Sequence, residues 1–256
     1  MATTISQDCI FCTGTGLTKE HIFPRWLVDV LTPAVVGTEI SVERTRQWAD
    51  RAEQQRWTAP DVASATARVV CASCNSGWMS RLESRAKPLL RPMILGNPTT
   101  LDPAEQIALA GWTAMKAYVL EYAMGDVIVA TPDERRALMD HGYPRGAAPV
   151  RLGAVERDGL PNSVRRVVYN VGSNGLQQGL AVCTTFTLGC AVLQVCHGLG
   201  IAIDWTTASR PNPDHLPLYP PCASAAWPPA QVLTAATLLD WERPLPAPAP
   251  EWLAQG

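Results

Sequence analysis

The pattern of apolar and polar positions divides the chain into four textures. Residues 1–36 hold a Cys pair and a Gly-containing turn. They continue into HIFPRWLVDVL, where Trp26, Leu27, Val30 and Leu31 recur at helical spacing behind Pro24. Residues 37–70 are polar and Arg-rich and end in a short β-like run at 66–70, while Trp48 and Trp57 in this stretch suit a hairpin as well as a short helix. In residues 76–95 Trp78, Leu82 and the aliphatic part of Arg85 share one helical face, and the helix is expected to break near Pro88.

Further along, Asp102-Pro103-Ala104-Glu105 supplies a cap, a first-position proline and a carboxylate in the first turn, opening an Ala/Leu-rich helix to about Met124. Thr131-Pro132-Asp133-Glu134 repeats the signal for a short helix that Gly142 closes. From about 147 to 206 the runs VRRVVYNVG, LAVCTTFTLG and CAVLQVCHGLGIAI, parted by Gly, Asn and Ser, predict three or four antiparallel strands. One more helix is expected at 230–240, followed by a Pro-rich tail. The order of segments implies an α+β protein of two parts, residues 1–95 and residues 96–256, the second holding helices, a small antiparallel sheet and the tail.

Composition narrows the function. The 256 residues are 47% hydrophobic and 17% charged, which excludes a disordered chain, and a net charge of −2 excludes binding of nucleic acid by bulk positive charge. Residues 1–95 carry 11 Lys and Arg against 9 Asp and Glu, and the remainder 10 against 14, so a polyanion should meet the first third. Eight cysteines are too few for a disulfide scaffold, and MATTISQDC lacks a basic start followed by an apolar run; a cytoplasmic chain with reduced thiols is expected. No Asp, Glu, Lys or Arg lies between Arg166 and Asp204, but Thr184, Thr185, Thr187, Gln194, His197 and three glycines interrupt residues 180–203. They fit a buried hairpin better than a membrane span.

Candidate chemistry is concentrated in the first part. Cys9/Cys12 and Cys71/Cys74 are two Cys-x-x-Cys knuckles with 58 residues between them; the two-residue gap lets both thiolates of each turn point at one ion, and two such turns complete the tetrahedral shell of a structural Zn²⁺. A shared ion would bring Glu20 and His21, beside the first knuckle, near Asn75, directly after the second. A carboxylate and an amide oxygen suit a hard cation such as Mg²⁺ or Mn²⁺, and a neutral imidazole suits a general base. Arg81, Arg85, Lys87 and Arg91 follow on one predicted helix as phosphate-contact candidates. Cys183, Cys190, Cys196 and Cys222, irregularly spaced among apolar neighbours, read as core cysteines.

Together, Cys-x-x-Cys, the run EHIFPRWL and VVCASCNSGWMSRLE resemble the zinc-stapled, treble-clef branch of the HNH endonucleases over about residues 8–90. The resemblance implies a ββα-metal module in which His21 is the general base and Glu20 and Asn75 hold one catalytic divalent ion. Hydrolysis of phosphodiester bonds, chiefly in double-stranded DNA, is the implied activity. Three positions depart from the family pattern. Glu20 stands where Asp is commoner, residues 65–70 offer no counterpart for the middle Asn, and Trp78 replaces a basic residue. A zinc-stabilised DNA-binding module without cleavage is the alternative reading. Near-neutral overall charge leaves target specificity to a partner or a homodimer.

Overall fold

A computed structural model of the chain describes residues 8–31, 39–48, 51–60, 63–125, 127–144, 149–157, 159–173, 176–199 and 212–241. Strand β1 (Leu17–His21) leads into helix α1 (Trp26–Leu31), whose Leu27, Val30 and Leu31 are buried as the helical spacing requires. The open choice within 37–70 resolves as a hairpin, β2 (Ile40–Gln47) with β3 (Ala52–Ala59), followed by β4 (Thr66–Cys71). A single turn, α2 (Ala72–Cys74), and a wide π turn over Asn75–Met79 then precede helix α3 (Ser80–Ile94). Gly77, at φ −93° and ψ −110°, kinks the helical run there.

Helix α3 does not break at Pro88. It runs through both Pro88 and Pro92, with Leu82, Ala86, Leu90, Met93 and Ile94 buried and Pro88 exposed. Each interior proline costs about 3 kcal/mol. Burying Leu82, Leu90, Met93 and Ile94 at about 1.5–3 kcal/mol each, with a smaller share from Ala86, offsets that cost.

Strand β5 (Thr99–Leu101) is followed by α4 (Pro103–Met124), the centre of the molecule. Its cap is the predicted one: Asp102 Oδ1 accepts from the Glu105 N–H at 2.8 Å and Glu105 Oε2 accepts from the Asp102 N–H at 2.9 Å. Trp112, Met115, Tyr118 and Leu120 are buried on different sides of this helix, because it is wedged between α3 and the main sheet. Gly111 is required for that packing, since a β-carbon there would run into the Gly142 carbonyl at the end of α5 (Pro132–His141).

The main sheet is larger than the small one expected. Seven strands run in the order β10, β6, β9, β8, β7, β2, β3, with β6 at Val150–Ala154, β7 at Ser163–Ser173, β8 at Leu176–Leu188, β9 at Ala191–Leu199 and β10 at Leu216–Tyr219. Every pairing is antiparallel except β2 with β7, which is parallel from Ser41↔Ser163 to Gln47↔Tyr169. The expected boundary at 95/96 therefore falls within a continuous structure: the sheet joins residues from both sides of it, and so does the largest hydrophobic core. The apolar run at 180–203 forms the paired interior strands β8 and β9 up to Leu199. Among the described residues no helix is long and apolar enough to cross a membrane.

On the far side of the sheet, α6 (Ala235–Trp241), which follows the short strand β11 (Ala225–Trp227), packs against β6 and β9 through Leu238 and Trp241. Trp241 lies 4.2 Å from the Arg151 guanidinium, and Arg151 Nε donates to Gln194 at 2.8 Å. Cys183, Cys190 and Cys196 are buried in the sheet region and Cys222 is half-buried; these four do not gather into a metal-holding set. Residues 200–211 and the Pro-rich tail from 242 lie outside the described residues.

On the helix side of the sheet, His197 packs 5.3 Å from the Tyr118 ring and is 4% exposed. Burial, with a smaller contribution from Arg166, pushes its pKa down to about 4. The unfolded chain titrates near ~6.5, so between those values it takes up a proton that the folded chain refuses, and stability falls as the pH drops through that window. The loss from this group alone should reach about 3 kcal/mol. Urea midpoints at pH 7.5 and 4.5 are expected to differ more in the wild type than in His197→Asn; equal differences would remove His197 as the cause.

Candidate functional site

The first knuckle is a tight turn closed on itself. The Cys9 N–H donates to the Gly14 carbonyl at 2.8 Å and the Thr13 N–H to the Cys9 carbonyl at 2.9 Å, with Thr13 in the left-handed region at φ 58°. Gly14 lies against the sulfurs: a β-carbon there would sit 3.2 Å from Cys12 Sγ. The second knuckle lies where β4 passes into α2, and the antiparallel pairing of β1 with β4 sets Leu17 opposite Cys71. From the other side, Arg135 on α5 donates to the Ile10 carbonyl at 2.7 Å, and Phe11 meets Trp78 edge-on at 4.9 Å. Trp78 thus binds the helical run to the first knuckle by packing.

These elements gather Cys9, Cys12, Cys71 and Cys74 so that all four Sγ atoms lie within 4.8 Å of one another. Thiolates about 2.3 Å from a tetrahedral ion stand roughly 3.8 Å apart, so the set can hold a metal ion such as zinc. The acidities agree. Burial tends to raise Cys71, but the Ser73 hydroxyl, the Cys74 N–H and the neighbouring thiols overcome it and bring the pKa down to about 6, whereas burial holds Cys12 and Cys74 above the ordinary thiol range. A negative charge is thus favoured on Cys71, while burial opposes one on Cys12 and Cys74 until a cation stands beside them.

Next to the sulfur cluster lies a cavity of about 540 Å³ lined by Glu20, His21 and Asn75. Neighbouring strand residues normally point to opposite faces. Glu20 and His21 pair in consecutive register with Ala67 and Thr66, yet both border this cavity, which lies at the end of β1 where the strand stops at His21. His21 Nδ1 is 2.9 Å from the Ala63 carbonyl. Only a protonated nitrogen can donate to that oxygen, so the proton of the neutral ring sits on Nδ1 and the lone pair on Nε2. Asn75 Nδ2 donates to Thr18 Oγ1 at 3.2 Å and towards the Lys19 carbonyl at 3.5 Å, which leaves the amide oxygen as the atom for a cation.

The remaining wall comes from residues that sequence reasoning passed over. Arg25 and Trp26 line this cavity and an adjoining one of about 520 Å³, and Ser76, Ser80 and Glu83 supply the helical side. Lys116, on α4, is fully buried, and its Nζ donates to Glu20 Oε1 at 2.8 Å and to the His21 carbonyl at 3.0 Å, with Glu83 Oε2 at 3.5 Å. One signal for it was present: a lone lysine in the otherwise apolar stretch LAGWTAMKAYVL must face a buried acid. Glu83 had only its place three residues beyond Ser80 as a clue.

The basic residues predicted for phosphate separate on the helix. At about 100° per residue, Lys87 and Arg91 fall within roughly 20° of Ser80, whereas Arg81 and Arg85 turn about 100° and 140° away. All four are exposed, none lines the cavity, and the Lys87 ammonium lies 5.7 Å from the centroid of the Trp26 ring at the cavity's edge.

No family model, curated protein or solved structure matches the chain.

One equivalent of metal per chain is expected in purified protein by elemental analysis, and Cys71→Ala is expected to lose it together with the hydrogen-exchange protection of β1 and β4. A wild-type chain free of metal after purification without chelators would remove the cluster's assigned role.

Proposed function

We propose that the protein is a metal-dependent endonuclease that hydrolyses phosphodiester bonds, most naturally in double-stranded DNA. The observation that carries this reading is the lining of one cavity by Glu20, His21 and Asn75, together with the tautomer that the Ala63 carbonyl imposes on His21. In this reading the four cysteines hold a structural Zn²⁺ and β1, β4 and the helical run form a treble-clef ββα module. Glu20 and Asn75 supply two oxygen donors that fit Mg²⁺ or Mn²⁺, whose chemistry when bound is to neutralise charge on the scissile phosphate and on the departing oxygen.

The chain's own groups do the rest. His21 Nε2 accepts the proton of the attacking water while Nδ1–H remains on Ala63, so the ring is held in one orientation as its charge appears. Arg25 at the cavity and Lys87 beside Trp26 are the exposed cations offered to the flanking backbone, whereas Arg81 and Arg85 face another side of α3. These exposed contacts make binding salt-dependent.

A second reading, a zinc-stabilised DNA-binding module without cleavage, gains support from the engagement of Glu20 Oε1 by Lys116, which competes with a divalent ion for that oxygen. Nicking of supercoiled plasmid separates the two. With Mg²⁺ or Mn²⁺ the wild type is expected to nick, and His21→Ala to lose about 10²–10⁴-fold in rate while metal content and circular dichroism persist. DNA binding with no cleavage under either ion would establish the second reading. Undiminished cleavage by His21→Ala would remove the base assigned to it.

A further inference from the structure

The buried ammonium of Lys116 belongs neither to the sulfur cluster nor to the set of residues that the reading above employs, and its surroundings define what it does. It comes from α4, beyond the 95/96 boundary, and reaches the inner wall of a cavity otherwise built by β1, α1 and the helical run after the second knuckle. There it lies 2.8 Å from Glu20 Oε1 and 3.5 Å from Glu83 Oε2, and it donates at 3.0 Å to the carbonyl of His21 itself. Its side chain is fully buried, Glu20's is 10% exposed and Glu83's 29%. The contacts are therefore only partly screened on the Glu83 side and little screened on the Glu20 side.

We infer that Lys116 is a positioning residue that sets the divalent-ion affinity of the cavity, acting as a fixed counter-cation shared by Glu20 and Glu83. The inference rests on the reading of the cavity as a divalent-ion site and deepens it. Two carboxylates at full charge would bind an incoming dication tightly and hold it. With the ammonium between them, one positive charge is already present, Glu20 keeps Oε2 for the ion, and the repulsion between ammonium and dication keeps binding weak and reversible. The same contact at the His21 carbonyl ties the strand end that carries the imidazole to α4, so the residues after 95 take part in the site.

Mn²⁺ titration of the zinc-loaded full chain, with free Mn²⁺ read by its paramagnetic resonance signal, tests the inference without recourse to cleavage. Lys116→Met is expected to bind Mn²⁺ at least tenfold more tightly than wild type, the opposite of what loss of a merely structural lysine would do. Lys116→Gln, which keeps N–H donors for Glu20 and His21, should tighten binding in the same direction. Glu83→Gln changes a partly exposed carboxylate and so tests the idea even where neither lysine variant folds; it is expected to weaken binding at least threefold.

Affinity unchanged within twofold in the folded lysine variants, or in Glu83→Gln, overturns the inference and leaves the nuclease reading standing. Mn²⁺ binding gained only on removal of Lys116 supports the inference while removing the wild-type catalytic ion. Absence of binding in every form, wild type included, overturns both.

Discussion

Four sulfurs held within 4.8 Å of one another draw together two stretches of chain that are otherwise far apart in sequence. Closing a loop of this length costs several times RT in chain entropy, and the cost grows only logarithmically with length. A metal held by four thiolates would offset it, and the segment between the knuckles adds its own packing through buried residues such as Phe23, Leu27 and Ile40. Once the turns are joined, the pairing of Leu17 with Cys71 follows, and with it the common wall formed by Glu20, His21 and Asn75. The cavity thus adjoins the cluster, although none of its lining residues is a cysteine.

The legible parts of the fold were those governed by local rules. The helix caps at Asp102 and Thr131 and the stop at Gly142 depend on residues within one turn of one another, and all three are found where the spacing put them. The strands between 147 and 199 were legible because β-branched runs alternate with turns. Parallel pairing of β2 with β7 was not, because it depends on a match between distant segments and leaves no mark in either alone. Pro88 misled for the related reason that a local penalty yields to burial supplied by α4, which cannot be read from the helix itself.

At the site the division is the same. Cys-x-x-Cys spacing and the short runs around it expose the sulfur cluster and the three polar residues beside it. Lys116 and Glu83 enter through tertiary packing, and only the oddity of one lysine in an apolar helix hinted at the first. Arg81 and Arg85 illustrate the converse: they share a helix with the cavity wall, yet the angular step of that helix carries them to another face. Proximity in sequence to a site is weaker information than angular position about the helix axis.

The β2–β3 hairpin joins the main sheet through β7, so it cannot dock there until residues past 160 are available. During synthesis on the ribosome the sulfur cluster can assemble early, while the hairpin between its halves waits for more than a hundred further residues to emerge. The edge carried by β3 therefore stays attached to an unanchored ribbon through much of translation, a window in which a chaperone or a second nascent chain has its best access to it.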